Sequence, residues 1–225
     1  KAKFRSGVFD KKYADAKNIK KNIHIPEHVA LAKAIADESI ILLQNNNGIL
    51  PLDPAAIKSI AVVGPNADQV QYGDYTYTRD NKSGVTVLQG ITDLVGDKVK
   101  VNYAKGCGIS SLDTGGIAEA VEAAEKSDVV VAVLGETSVI LSGLGWGRGP
   151  GEMESDDPFT TGEGYDITDI NPIGVQRRLL EALKATGKPI VLVLVHGRPW
   201  SIGWEKDNMD AILEAWYPGE QGGNA

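Results

Sequence analysis

Eight carboxylates crowd one stretch of this sequence. Between positions 135 and 171 stand Glu136, Glu152, Glu154, Asp156, Asp157, Glu163, Asp166 and Asp169, with Arg148 as the only base. The chain has 30 acids and 23 bases, so the rest is balanced and the whole formal net charge of -7 falls in this segment. Inside it, Thr161-Gly-Glu-Gly-Tyr-Asp166 brackets Glu163 with glycines. Glycines free a loop to project one carboxyl into a cleft, and neighbouring acids raise that carboxyl's pKa by like-charge repulsion. This suits a general acid that must hold its proton near neutrality.

Other chemistries are poorly served by the residues present. Val62-Val-Gly-Pro-Asn66 lacks the G-x-G-x-x-G spacing that brings backbone up to a pyrophosphate, and Gly143-Leu-Gly-Trp-Gly-Arg-Gly149 has Arg148 where the third glycine belongs. No phosphate-binding G-x-x-x-x-G-K-[ST] and no G-x-S-x-G nucleophile elbow occurs. The three histidines, His24, His28 and His196, and the single Cys107 have no paired-ligand spacing. The histidines are expected as satisfied surface groups. Glu152, Glu154, Asp156 and Asp157 do not follow an EF-hand pattern, so no metal is expected. Carboxylate acid/base chemistry remains, and it requires no cofactor.

The elements that must position these residues alternate. Buried-type strands are expected at Ser59–Gly64, Lys98–Tyr103, Asp128–Leu134 and Pro189–Val195, with a fifth at Asp210–Ala215. Helical spacing runs from His28 to Leu42, about four turns ending at Gln44-Asn-Asn-Asn-Gly48, and again over 87–95, 117–126 and 172–186. Asn171 is placed as N-cap of the last helix, with Pro172 at its first position and Gly187 at its end. Alternation of this kind predicts an α/β fold: a doubly wound, mainly parallel sheet with helices on both faces. Ligands of such sheets bind where loops leave the carboxyl ends of strands. Three loops stand out there: 64–77, the acidic loop 135–171, and 196–204. Tyr72, Tyr75, Tyr77 and Trp146 offer aromatic faces for a sugar ring at that edge or pack locally. Trp200 and Trp204 are expected to pack under the loop, Trp216 against the sheet end, and Arg198 to orient a loop carboxylate or form a structural ion pair.

Composition bounds the function. With 225 residues, 42% hydrophobic and 24% charged, the chain can bury one sizeable core. No window approaches 18 uninterrupted apolar residues, and one cysteine cannot close an internal disulfide. The acidic balance disfavours nucleic acid and anionic membrane as partners. Residues 1–27 are expected to be the end of a preceding domain plus a linker, and 28–225 a domain that is cut short.

Read in order, the motifs resemble the second domain of family 3 glycoside hydrolases, the β-glucosidase group. The series runs Lys3-Phe-Arg-Ser-Gly-Val-Phe-Asp-Lys-Lys-Tyr13, Ala36-Asp-Glu-Ser-Ile-Ile-Leu-Leu-Gln-Asn45, Gly48-Ile-Leu-Pro-Leu52, Ile60-Ala-Val-Val-Gly-Pro-Asn-Ala67 and Tyr103-Ala-Lys-Gly-Cys107. It continues with Gly135-Glu136, His196-Gly-Arg-Pro199 and Trp216-Tyr-Pro-Gly-Glu-Gln-Gly-Gly223. The resemblance implies an α/β sandwich, a fragment of a larger enzyme, whose acid/base glutamate lies in a motif approximating E-G-x-D-R-x-x-L-x-L-P-x-x-Q. Here Glu163, Gly164, Asp166 and Gln176 fall in register, Ile167 replaces the arginine, and Pro172 comes one place early. Glu163 is thereby the candidate acid/base, with Glu136, Glu152 and Glu154 as alternatives; Tyr75, Tyr77, Trp146 and Arg198 are candidates for substrate contact. The resemblance further implies a retaining, exo-acting β-glucosidase whose nucleophilic aspartate belongs to an N-terminal barrel outside these residues, so that the chain alone is inactive. Its partners would be a β-linked glucoside or oligosaccharide and that barrel, in a periplasmic or secreted setting. A β-xylosidase of the same family, or a non-catalytic carbohydrate-binding module, is the alternative.

Overall fold

The computed structural model describes residues 1–10, 13, 15–76, 83–138, 160–162 and 166–225. Six strands, β1 (Ile41–Asn45), β2 (Ser59–Val63), β3 (Lys100–Ala104), β4 (Val129–Gly135), β5 (Ile190–Val195) and β6 (Ala211–Glu214), form one sheet in the order β1-β6-β5-β4-β2-β3. All neighbours run parallel except β1, which pairs antiparallel with β6, Ile41 opposite Glu214 and Asn45 opposite Ala211. The fold is the expected α/β sandwich, a mainly parallel doubly wound sheet.

Every residue of β4 and β5 is buried, which is why their sequences are nearly continuous Val, Ile and Leu. Helices α5 (Ile117–Glu125) and α6 (Gln176–Ala185) cover one face. There Leu179, Leu180 and Leu183 meet Val130, Ala132, Leu192 and Leu194. On the other face Val62, Val131, Val133, Val191 and Val193 pack with Leu88 and Ile91 of α4 (Val87–Val95). Each fully buried side chain of this kind contributes about 1.5–3 kcal/mol. Thr86 starts α4 by accepting a hydrogen bond from the Gln89 amide, 3.1 Å, so this helix begins and ends where its periodicity placed it. The remaining helices are α1 (Ala2–Arg5), α2 (Ile19–Asn22), α3 (Pro26–Ser39) and α7 (Gly203–Asn208).

Two expectations fail at element ends. The helix read through to Leu42 is α3, which stops at Ser39; Ile40 is extended (φ -67°, ψ 130°) and 41–45 form the edge strand β1. The β-branched Ile40 and Ile41 suit the strand, and pairing with β6 supplies the backbone partners that further helix would have given. The helix expected from Pro172 begins instead at Gln176. Asn171 caps nothing: its backbone and side-chain amides both donate to Asp169 Oδ1, at 3.0 and 2.7 Å. Gly174 at φ +59° breaks helical continuity between Pro172 and α6.

The winding changes direction between β2 and β4. The chain moves outward from β2 to β3, then crosses to β4, β5 and β6 on the other side. In open α/β sheets this switch point, at the carboxyl ends, is where ligand crevices form.

Candidate active site

Loops from four strands converge at that end. Glu136 directly follows β4, with 0% of its surface exposed. Its amide donates to the Val195 carbonyl, 2.8 Å, and its carbonyl accepts from Asn66 Nδ2, 2.9 Å, so the residue bridges the loops after β2 and β4. Preceding Gly135 leaves no room for a side chain: a Cβ there would sit 1.9 Å from the Val195 carbonyl oxygen. Gln176, at the start of α6, locks this corner. Its Oε1 accepts from the Gly135 amide, 2.9 Å, and its Nε2 donates to the carbonyls of Gly135 and Ile109, both 2.7 Å.

The Glu136 carboxyl accepts a hydrogen bond from Trp200 Nε1 through Oε1, 3.0 Å, while Oε2 is buried without a partner among the described residues. Burial raises this carboxyl's pKa, and the Trp200 hydrogen bond and the Arg198 charge pull the other way. Trp200 stacks on His196, ring centroids 4.8 Å apart and planes 18° apart. His196 corrects the expectation of a surface histidine: it is buried at the end of β5, and burial lowers its pKa to about 4, so its ring is neutral at pH 7. Its Nε2 lies 3.1 Å from Glu214 Oε2, without the alignment of a hydrogen bond. Glu214, the last residue of β6, is pushed up to about 7 by burial, with the Trp216 amide opposing and the Glu136 charge reinforcing. Sequence reading missed Glu214 altogether; an acid inside the apolar run Ala-Ile-Leu-Glu-Ala215 was the available signal.

The acidic loop is pinned where its returning arm meets the sheet. Thr160 and Thr161 amides donate to the Thr137 carbonyl at 3.0 and 3.3 Å, the Thr137 amide donates to Thr160 Oγ1, 3.1 Å, and Ser138 forms a parallel bridge with Thr161. Ser138 Oγ also donates to Asp74. Thr161 Oγ1 and Tyr217 Oη are 3.0 Å apart, and burial pushes the Tyr217 phenol up to about 12. Arg198 Nη2 donates to the Gly162 carbonyl at 3.3 Å, and its Nη1 lies 3.9 Å from the fully exposed Asp166 carboxylate.

Of the candidate residues, Glu163, Glu152, Glu154, Tyr77 and Trp146 lie outside the described residues. Glu136 and Arg198 come together beneath the loop arm. Tyr75 lies apart from the buried cluster, 59% exposed, with φ +58° in the loop after β2. Trp200 and Trp204, expected to pack under the loop, pack against the core on the α5/α6 side, and the Arg177 guanidinium stands 4.9 Å over the Trp204 ring. Trp216 is 41% exposed and its indole donates to the Ser39 carbonyl, 3.2 Å, which ties the end of β6 to α3. Among the described residues no group of three or more His, Cys, Asp or Glu could hold a metal ion.

A mainly parallel sheet covered by helices, with the Thr160–Gly162 arm anchored at its switch point, defines an α/β sandwich domain. The chain belongs to glycosyl hydrolase family 3: residues 40–225 match the family model of its C-terminal domain. It is 40% identical to a beta-xylosidase of Formosa agariphila over all of its length and 29% of that protein's. It is 36% identical to a periplasmic beta-glucosidase of Salmonella typhimurium, covering 99% of this chain and 30% of the relative. A solved β-glucosidase from Erythrobacter marinus superposes with a TM-score of 0.77 at 36% identity, over 99% of this chain and 30% of the other. The chain thus spans less than a third of the length of these relatives, which are glycoside hydrolases by name.

Proposed function

We propose that this chain is the acid/base-bearing domain of a retaining, exo-acting β-glucosidase, with Glu163 as the acid/base and the nucleophilic aspartate supplied by an N-terminal barrel of the same polypeptide. In this reading residues 1–27 are the end of that barrel and the linker, and 28–225 the sandwich. Glu163 protonates the departing glycosidic oxygen while the barrel aspartate attacks the anomeric carbon, and as its conjugate base it then activates water against the glycosyl ester. The two carboxyls of a retaining pair stand about 5–5.5 Å apart. Tyr75, Tyr77, Trp146 and Arg198 are assigned to the leaving-group side of the site.

The anchoring of Thr160, Thr161 and Gly162 carries this reading. The three residues that precede Glu163 are held by the Thr137 carbonyl, Tyr217 and Arg198 at the carboxyl edge of the sheet. A general acid must be held within about 0.5 Å of its working position, and tethering of the residues just before Glu163 supports that role for it. Replacing Glu163 by Gly in the complete polypeptide, with an activated aryl β-glucoside as substrate, tests the role. Azide should restore turnover and yield β-glucosyl azide; activity near wild type without rescue would move the role to Glu152 or Glu154, since Glu136 is fully buried.

The 40% identity to a beta-xylosidase favours one second reading, a β-xylosidase with the same catalytic apparatus. Comparing kcat/KM on aryl β-glucoside and aryl β-xyloside separates the two. A periplasmic or secreted setting is proposed with the enzyme, supported by the periplasmic relative.

A further inference from the structure

We propose that Glu136 is a positioning residue for this reaction: by holding the Trp200 indole it fixes the turn 198–201, which grips the chain on both sides of Glu163. The inference rests on the assignment of Glu163 as acid/base and gives the buried cluster beside it a task. Two contacts of one short turn define the grip. Arg198 Nη2 donates to the carbonyl of Gly162, 3.3 Å, and the Ser201 amide donates to the carbonyl of Ile170, 2.7 Å. Gly162 immediately precedes Glu163, and Ile170 lies on the returning side toward α6. Trp200 stands between these two handles in sequence, so a shift of its ring moves both.

The ring is fixed from two directions. Its face lies on His196 and its edge N–H points into the Glu136 carboxyl. Glu136 is itself immobile, with its amide on Val195, its carbonyl on Asn66 and the tight Gly135 corner behind it. Burying a carboxyl with one oxygen unpartnered among the described residues costs free energy, and a leucine there would avoid the cost, so among those residues stability alone does not explain the choice. Direct catalysis does not explain it either. A group with 0% exposure, one oxygen already engaged by an indole, cannot approach a glycosidic oxygen.

The test compares four variants of the complete polypeptide on an alkyl β-glucoside, whose poor leaving group needs protonation. Glu136→Leu leaves the indole N–H without an acceptor, and Trp200→Phe keeps a ring on His196 while removing that N–H. Each should lower kcat by about 10- to 100-fold with KM changed by less than about threefold, and azide should not restore turnover on an activated aryl β-glucoside either. Glu136→Gln keeps an oxygen for the indole and should recover most of what Glu136→Leu loses. Glu163→Gly, assayed on an activated aryl β-glucoside and rescued there by azide, checks the underlying assignment separately. Thermal midpoints establish that the variants are folded; should Glu136→Leu not fold, Trp200→Phe against Glu136→Gln decides. Folded Trp200→Phe turning over the alkyl glucoside within about twofold of wild type would overturn the proposal. So would equal losses in Glu136→Gln and Glu136→Leu, which would assign the effect to charge. Azide rescue of Glu136→Leu on the activated aryl β-glucoside, with formation of glycosyl azide, would make Glu136 the acid/base itself, whereas an unaffected Glu163→Gly would sink only the assignment on which the proposal rests.

Discussion

The Tyr217 hydroxyl lies 3.0 Å from Thr161 Oγ1 and joins the segment after β6 to the arm of the acidic loop two residues before Glu163. Its removal tests how far that arm depends on a single side-chain tether. A neutral hydrogen bond of this type contributes about 1 kcal/mol. Tyr217→Phe in the complete polypeptide should therefore lose about that much stability in urea unfolding. It should also lower kcat on an alkyl β-glucoside by about 3- to 10-fold, because the arm gains freedom. Unchanged kcat with the expected stability loss would show that the Thr137, Ser138 and Arg198 contacts hold the arm without Tyr217.

Gln176 offers a sharper stability test, because one side chain satisfies three buried backbone groups, the Gly135 amide and the carbonyls of Gly135 and Ile109. Gln176→Leu preserves volume and leaves all three unpaired. Each unsatisfied buried group costs about 1–3 kcal/mol, so a loss of about 3 kcal/mol or more is expected in denaturant unfolding. A loss below about 1 kcal/mol would mean that water replaces the amide.

Both corners show which features the sequence carries. The runs Val129–Leu134 and Ile190–Val195 declare themselves because strands covered on both faces admit little but branched apolar residues. β1 was hidden: Ile41 and Leu42 stand in phase with the helix before them, and only the antiparallel partner β6, distant in sequence, decides their state. Asn171 and Pro172 carry good cap chemistry, but Gly174 turns the chain before the helix can start there. At the site, Glu136 was legible as a carboxyl at a strand end. Its complete burial, its indole partner and the proximity of His196 to Glu214 depend on strand order, which local pattern does not encode.

Gly135 provides a steric test of the same corner. A methyl group there would stand 1.9 Å from the Val195 carbonyl oxygen, so β4 and β5 must part. Gly135→Ala should cost about 3 kcal/mol or more, as overpacking against rigid backbone does. Gly203, at the start of α7, faces open space: a Cβ there would meet nothing within 4 Å, and Gly203→Ala should be neutral or stabilising by up to about 1 kcal/mol. Urea midpoints of the two variants decide the point, and similar values would refute the close approach.

The pair His196 and Glu214 should leave opposed marks on stability against pH. Glu214 is raised from 4.5 to about 7, so the folded state binds its proton more tightly than the unfolded state, and its contribution falls as pH rises from 4.5 to 7. His196 is lowered from 6.5 to about 4, so the unfolded state binds its proton more tightly, and its contribution rises as pH climbs from 4 to 6.5. The slopes oppose each other over the shared window from 4.5 to 6.5, so wild type should change less with pH there than either single variant. Glu214→Gln removes the falling component; stability should then climb more steeply with pH from 4 to 6.5 than in wild type. His196→Phe keeps a ring against Trp200 and removes the rising component, so stability should decline from pH 4.5 to 7 relative to wild type. Urea midpoints at half-unit intervals from pH 4 to 7.5 measure both. Because Glu136 and Glu214 repel each other, Glu136→Gln should in turn lessen the fall that Glu214 produces. Parallel pH profiles in all four proteins would mean that neither buried group titrates differently in the folded chain.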